Sequence, residues 1–146
     1  MKITILTLFP EMFDGFLNTS IMKKARLKNL AEIETVDIRS FTQDKHHRVD
    51  DYPFGGGQGM ILQCQPVLDA LKSIRNEQSH VILLAPVGRV FKQSIAREYV
   101  KKEHIILICG HYEGFDERIM DYVDESMSIG DYVLTGGEVA SMVITD

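Results

Sequence analysis

The stretch HIILICG, residues 104–110, constrains this chain more than any other. A strand with one wet face alternates apolar and polar residues. Ile105 to Cys109 do not alternate, so this strand is buried on both faces, inside a parallel sheet covered by helices on either side. Two further runs, KITILTLF (2–9) and HVILLAP (80–86), are rich in aliphatic and β-branched residues and stop at a proline. EIETVDI (32–38) alternates, giving it one wetter face, and ESMSIGDYVL (125–134) is the weakest of the predicted strands. Helical spacing lies between them. It covers PEMFDGFL (10–17), with Pro10 at the first helical position, and SIMKKARLKNL (20–30), with Ser20 as a candidate N-cap. It recurs in QPVLDALKSIR (65–75), FKQSIAREYVKK (91–102) and DERIMDYV (116–123). Strands alternating with helices predict an α/β domain with a mainly parallel sheet flanked by helices, and 146 residues suffice for one compact domain.

Three glycine-bearing turns follow three successive strands: APVGR (85–89), CGHYEG (109–114) and IGDYVLTGG (129–137). Ligands of parallel sheets bind at the carboxyl ends of the strands, and glycine lets main-chain groups approach them closely. Taken together the three turns predict a pocket walled mostly by backbone. It is not a nucleotide-phosphate site: the first strand is not followed by G-x-G-x-x-G, and there is no Walker lysine. Apolar turns with few cations suit an adenine-like ring with little anionic charge, and S-adenosylmethionine fits that description.

Among the acids, Glu113 sits in a glycine-flanked turn and reads as functional. Asp116 and Glu117 open a helix, where the helix dipole favours acids for structural reasons alone. Asp131 and Glu138 flank the glycines, and either suits a sulfonium or a helix cap. Asp50 and Asp51 lie beside Arg48 in the long irregular region 41–60, which reads equally well as a functional or a solvated loop.

Other chemistries are excluded. His46 and His47 are adjacent rather than spaced as metal ligands, and no Cys/His spacing suits zinc. A magnesium ion is compatible with the sequence, but no residue pattern calls for one. Cys64 and Cys109 are isolated in apolar surroundings, as in reduced, cytoplasmic proteins, and neither has the electropositive setting of a nucleophile. No apolar run is long enough to cross a bilayer. The net charge of −5 gives no global attraction for nucleic acid, and the basic set Lys23, Lys24, Arg26 and Lys28 reads first as a solvated helix face. The segment GGEVASMVITD reads as a helix still in phase at Asp146, so the chain is expected to be part of a longer protein.

Four segments, LTLFPEMF (6–13), VDDYPFGGGQGM (49–60), CGHYEGFDER (109–118) and SIGDYVLTGGE (128–138), resemble in order the bacterial tRNA (guanine-N1)-methyltransferases of the SPOUT superfamily. The resemblance implies a deep C-terminal trefoil knot, an exception to the unknotted rule. It implies that S-adenosylmethionine is held by Leu84, Pro86 and Gly88 from one loop and by Gly110, Tyr112 and Glu113 from a second. Ile129, Gly130, Tyr132, Leu134, Gly136 and Gly137 would complete the site. It implies a homodimer that methylates N1 of the guanosine at tRNA position 37, 3′ of the anticodon, leaving S-adenosylhomocysteine. Glu113 and Asp50 take supporting catalytic roles. The general-base aspartate and the helical tRNA-binding domain are expected beyond Asp146, leaving residues 1–146 as the cofactor-binding domain, inactive alone. The family commonly has glutamine where this chain has Val87, and Leu-Pro where it has Val139-Ala140; neither change touches the main-chain contacts, so cofactor binding is still expected, and the sequence does not fix its affinity. Two alternatives stand beside this reading: a non-catalytic cofactor- or RNA-binding module, and a SPOUT methyltransferase acting on another RNA.

Overall fold

The computed structural model describes all of residues 1–146. Its strands are β1 (Lys2–Thr7), β2 (Glu32–Asp37), the short β3 (Asp50–Asp51) and β4 (Ile61–Leu62), β5 (Ser79–Val90), β6 (His104–Cys109) and β7 (Glu125–Ser128). Its helices are α1 (Asp14–Asn18), α2 (Ser20–Leu27), α3 (Cys64–Ile74), α4 (Gln93–Tyr99) and α5 (Gly137–Thr145). Five strands pair in the order β2-β1-β6-β5-β7, and every pairing among them is parallel. The apolar run that predicted a doubly covered strand is β6, the centre of this sheet. Ile105, Leu107 and Cys109 face a core shared with Phe13, Leu17, Ile95 and Ala140 of the helical segments on one side. Ile106 and Ile108 face Val67, Ala70 and Leu71 of α3 on the other. No helix is long and apolar enough to cross a membrane.

Several predicted boundaries are corrected. The strand expected over 125–134 ends at Ser128. Its hydroxyl donates to the Gly130 carbonyl and accepts from the Gly130 N–H, turning the chain out of the sheet. The helix expected over 116–123 is a 3₁₀ turn, Glu117–Tyr122, capped by Asp116, whose carboxylate accepts from the Arg118 N–H. The helix expected over 10–17 is a 3₁₀ turn, Pro10–Phe13, followed by α1. Ser20 is not an N-cap: it lies inside α2 at φ +47°, behind an extended Thr19, and makes no capping bond. The strand expected to stop at Pro86 resumes beyond it, to Val90.

His104, at the start of β6, is buried, with ring nitrogens 3.0 Å from the Thr4 hydroxyl and 2.7 Å from the Ser79 hydroxyl. Burial holds its pKa below the ordinary 6.5. The folded chain therefore keeps this ring neutral where the unfolded chain has begun to take up a proton. Its contribution to stability is full above pH 6.5 and is lost as pH falls below that value towards the folded pKa. The urea midpoint is expected to fall between about pH 7.5 and about pH 5.5, and His104→Gln to flatten that slope. An unchanged slope in the variant would remove His104 as its source.

Candidate active site

The sheet places three loops at one carboxyl edge. In β5 the register jumps: Leu84 and Arg89 both oppose Met127, so residues 85–88 bulge outward as the first loop. The second follows β6 at Gly110, and the third runs from Ile129 to Gly136 before α5. They enclose one cavity of about 220 Å³. Leu84, Pro86, Gly110, Tyr112, Glu113, Ile129, Gly130, Tyr132, Leu134, Gly136 and Gly137 all line it. Gly88 does not. It lies on the outer side of the bulge, where its missing side chain lets β5 press onto the Ser126 main chain of β7. Val87 is also outside the wall, with its side chain in solvent, whereas Ala140 is buried and lines the cavity from the first turn of α5.

Main-chain contact closes the floor. The Gly137 N–H donates to the Gly110 carbonyl at 2.8 Å, drawing the start of α5 onto the end of β6. Tyr112, a cavity residue, sits at φ +61°, a conformation uncommon outside glycine and concentrated at functional sites.

The glycine-rich loop reaches the rim through backbone pairing. Glu113 N–H donates to Met60 O, Leu62 N–H to Gly114 O and Asp116 N–H to Leu62 O, each at 3.0 Å. Gly59 packs directly on the Glu113 side chain. Glu113 is thus an exposed carboxylate at the mouth of the cavity. Asp50 is not brought to the cavity. It sits in β3 opposite Leu62, its carbonyl accepting from Gln63 Nε2. Asp116 is buried and bound by Arg118 through Nε at 3.0 Å and Nη2 at 2.6 Å, and the guanidinium holds its carboxyl below the usual range. Arg118 also lies 6.0 Å from the Phe54 ring, tethering the tip of the loop. Asp131 is exposed and lies outside the wall. Both cysteines are free and buried, and burial raises their thiols, which fits the inert role expected of them.

One polar residue escaped the sequence reading, and one that it singled out is placed out of the cavity. His111 lines the cavity beside Tyr112, and Glu138 is buried one layer behind it. Glu138 Oε1 accepts from the Thr7 hydroxyl at 2.7 Å, a contact between β1 and α5. His111 carried a signal in its place between Gly110 and Tyr112 of a motif already singled out. The contact with Thr7 had none.

Fold and site together define the class: a parallel α/β domain with a glycine-walled cavity at the carboxyl edge of its sheet. Within that class the relationship is specific. Residues 1–146 match the family described as tRNA (guanine-1)-methyltransferase TrmD, and the chain belongs to it. Proteins named tRNA (guanine-N(1)-)-methyltransferase share its sequence closely. The one from Malacoplasma penetrans is 56% identical over 146 residues, covering all of this chain and 65% of the relative. Those from Carboxydothermus hydrogenoformans and Staphylococcus haemolyticus are 56% and 57% identical, again over the whole chain, and are covered to 58% and 60%. The chain therefore spans about 60% of the length of the curated relatives it matches.

Proposed function

We propose that this chain is the donor-binding part of a tRNA (guanine-N1)-methyltransferase, taking S-adenosylmethionine in the cavity and serving methylation of N1 of the guanosine at tRNA position 37. The observation that carries this reading is the convergence of three glycine-bearing loops, from β5, β6 and β7, on one cavity lined by Gly110, Gly130, Gly136 and Gly137.

The residues present fit the donor. A side chain at Gly110 would crowd the Leu84 carbonyl at 3.1 Å, and one at Gly137 would press into the Cys109 backbone, so the cradle exists only because both lack a Cβ. Leu84, Ile129 and Leu134 offer apolar walls to a ring, and no lysine or arginine lines the cavity, which suits a weakly anionic ligand. When bound, S-adenosylmethionine supplies an electrophilic methyl group on a sulfonium. The work of the chain is then positioning, which supplies much of the catalysis when the donor is already reactive. Glu113 offers a carboxylate at the cavity mouth to the N–H edge of a purine, and its N–H donates to the Met60 carbonyl at the end of the glycine-rich loop. N1 of guanine carries a proton near neutral pH, so transfer needs a base. Following the family resemblance, we assign the base aspartate and the RNA-gripping domain to the part of the full-length protein outside residues 1–146.

A knotted path, a homodimer with shared active sites and a cytoplasmic location belong to the same proposal. The knot is supported by the strand order: β7 lies outside β5, yet α5 returns to pack on β6 and β1, so the chain must recross β5 at its carboxyl end. Calorimetry is expected to give dissociation constants on the order of micromolar for S-adenosylmethionine and S-adenosylhomocysteine. The same 146 residues are expected to leave an anticodon-stem RNA unmethylated. No heat with either ligand would defeat the donor-site assignment, and full turnover would defeat the assignment of the base.

A further inference from the structure

From Gly15 to Ala31 the chain holds no aspartate or glutamate, yet it carries Lys23, Lys24, Arg26 and Lys28, in a protein whose formal net charge is −5. Helix α2 separates these four cations. Arg26 turns inward: its Nη1 donates to the Leu17 carbonyl and to Asn18 Oδ1, each at 3.0 Å, and fastens α2 to α1. Lys23, Lys24 and Lys28 are exposed, and none has a carboxylate within 4.0 Å. Lys24 and Lys28 stand four residues apart on one face, where like charges repel and weaken a helix. The carbonyls at the end of α2 offset part of that repulsion, but they carry only about half a charge.

The neighbouring charges leave this face positive. A groove at the amino edge of the sheet is lined by Met1, Lys2, Lys23 and Arg26 together with Glu32 and Glu103. Glu32 is already engaged by Lys2 at 3.4 Å. Ile21, Leu27 and Leu30 are exposed beside the lysines, so the surface offers apolar contact as well. A second copy of the chain is a poor occupant, because a two-fold contact through this face would set lysine against lysine. The chemistry asks for a polyanion, and the family to which the chain belongs is named for one, tRNA. The path to the face begins at the cavity: the ring centroid of Phe9 lies 5.0 Å from that of His111 in its wall, and α1 and α2 follow. The rises of the intervening elements put Lys24 at most about 30 Å from Phe9, a span smaller than a folded tRNA.

We propose that Lys23, Lys24 and Lys28 form a phosphate-binding face on α2 that holds the tRNA backbone away from the target guanosine. This rests on the reading of the chain as part of a tRNA methyltransferase. Ammonium groups act on phosphates as point charges, and each contact releases condensed counterions, so the attraction is sensitive to salt and blind to sequence. The face therefore positions the RNA and does not choose the base. None of the three lysines lines the donor cavity, and Arg26 takes no part because α1 already holds its guanidinium.

The test uses the full-length enzyme and a tRNA transcript carrying guanosine at position 37, with affinity followed by fluorescence anisotropy between about 50 and about 300 mM KCl. The combined variant Lys23→Gln, Lys24→Gln, Lys28→Gln is expected to bind at least about tenfold more weakly at about 100 mM salt, and its log–log salt slope to be shallower by about two. Arginine at the same three positions is expected to keep the slope of the unaltered enzyme. Calorimetry is expected to find the affinity for S-adenosylmethionine within about twofold in every variant, since the two sites are separate. Each single glutamine replacement is expected to shift the slope by about 0.7, which carries the test if the combined variant does not fold. A slope unmoved by glutamine overturns the phosphate face and leaves the donor site intact. An unmoved slope joined to a change of oligomeric mass in sedimentation also overturns it, and gives the face to protein contact through Leu27 and Leu30. Failure of the unaltered enzyme to bind the transcript at any salt overturns the tRNA reading and the face together.

Discussion

A Gly137→Ala chain is expected to bind S-adenosylmethionine at least about a hundredfold more weakly and to lose about 2–4 kcal/mol of stability. The added methyl would lie 2.7 Å from Cys109 Cα, 2.9 Å from Gly110 N and 3.2 Å from Cys109 C. These are backbone atoms of the central strand and the loop that follows it, so no rotamer change relieves the clash. Either α5 recoils from β6, breaking the 2.8 Å bond from Gly137 N–H to Gly110 O, or the second loop is pushed into the cavity. Both movements separate walls that the ligand must touch at once: Gly136, Gly137 and Ala140 on one side, Gly110 and Tyr112 on the other. Overpacking a tight site costs about 1–3 kcal/mol, and a lost buried hydrogen bond about 1 kcal/mol more. Calorimetry with chemical denaturation measures both effects. Affinity within threefold of the unaltered chain would mean that this contact is not a wall of the ligand site.

The glycine loops were legible before any coordinates because glycine at the end of a buried strand carries local information. The unbroken run Ile105–Cys109 likewise announced a central, doubly covered strand. Misreadings arose where a polar side chain redirected the backbone. Ile129, Tyr132, Val133 and Leu134 look like a continuation of β7, but the Ser128 hydroxyl bends the chain and turns those residues into a cavity wall. Residues 116–123 have helical spacing, but Asp116 caps Arg118 and its carbonyl accepts from the Ile119 N–H, three residues on, tightening the turn to 3₁₀. Ser20 looked like a cap, whereas the Thr19 hydroxyl donates back to Gly15 O and closes the preceding helix instead. The wall behind the cavity was the least legible part. Thr7 and Glu138 are separated by 131 positions, and only the neighbouring of β1 and α5 on β6 brings them to hydrogen-bond distance. Periodicity reports which face of an element is buried, and nothing in it reports which distant polar group waits there.

The same distinction bears on Gly88, expected from resemblance to touch the cofactor and absent from the cavity lining. Gly88→Ala is expected to cost about 3–5 kcal/mol of stability, lowering the melting temperature by roughly 10 °C or more. Its φ of +146° is strained for any L side chain, and the new methyl would meet Ser126 O at 2.6 Å, Ser126 C at 2.7 Å and Met127 N at 3.0 Å. Those atoms belong to β7, a four-residue edge strand held only by β5, on both sides of the bulge. Pushing it outward breaks the pairing at Val90–Ser128, weakens the 2.7 Å bond from Phe91 N–H to Ser128 O, and lifts buried Met127 off the core around Ile82 and Leu84. Affinity for the donor should fall less than in Gly137→Ala once the folded fraction is accounted for, because the added methyl points at the sheet and not at the cavity. The opposite pattern, stability within about 1 kcal/mol of the original but binding abolished, would restore Gly88 as a direct ligand contact.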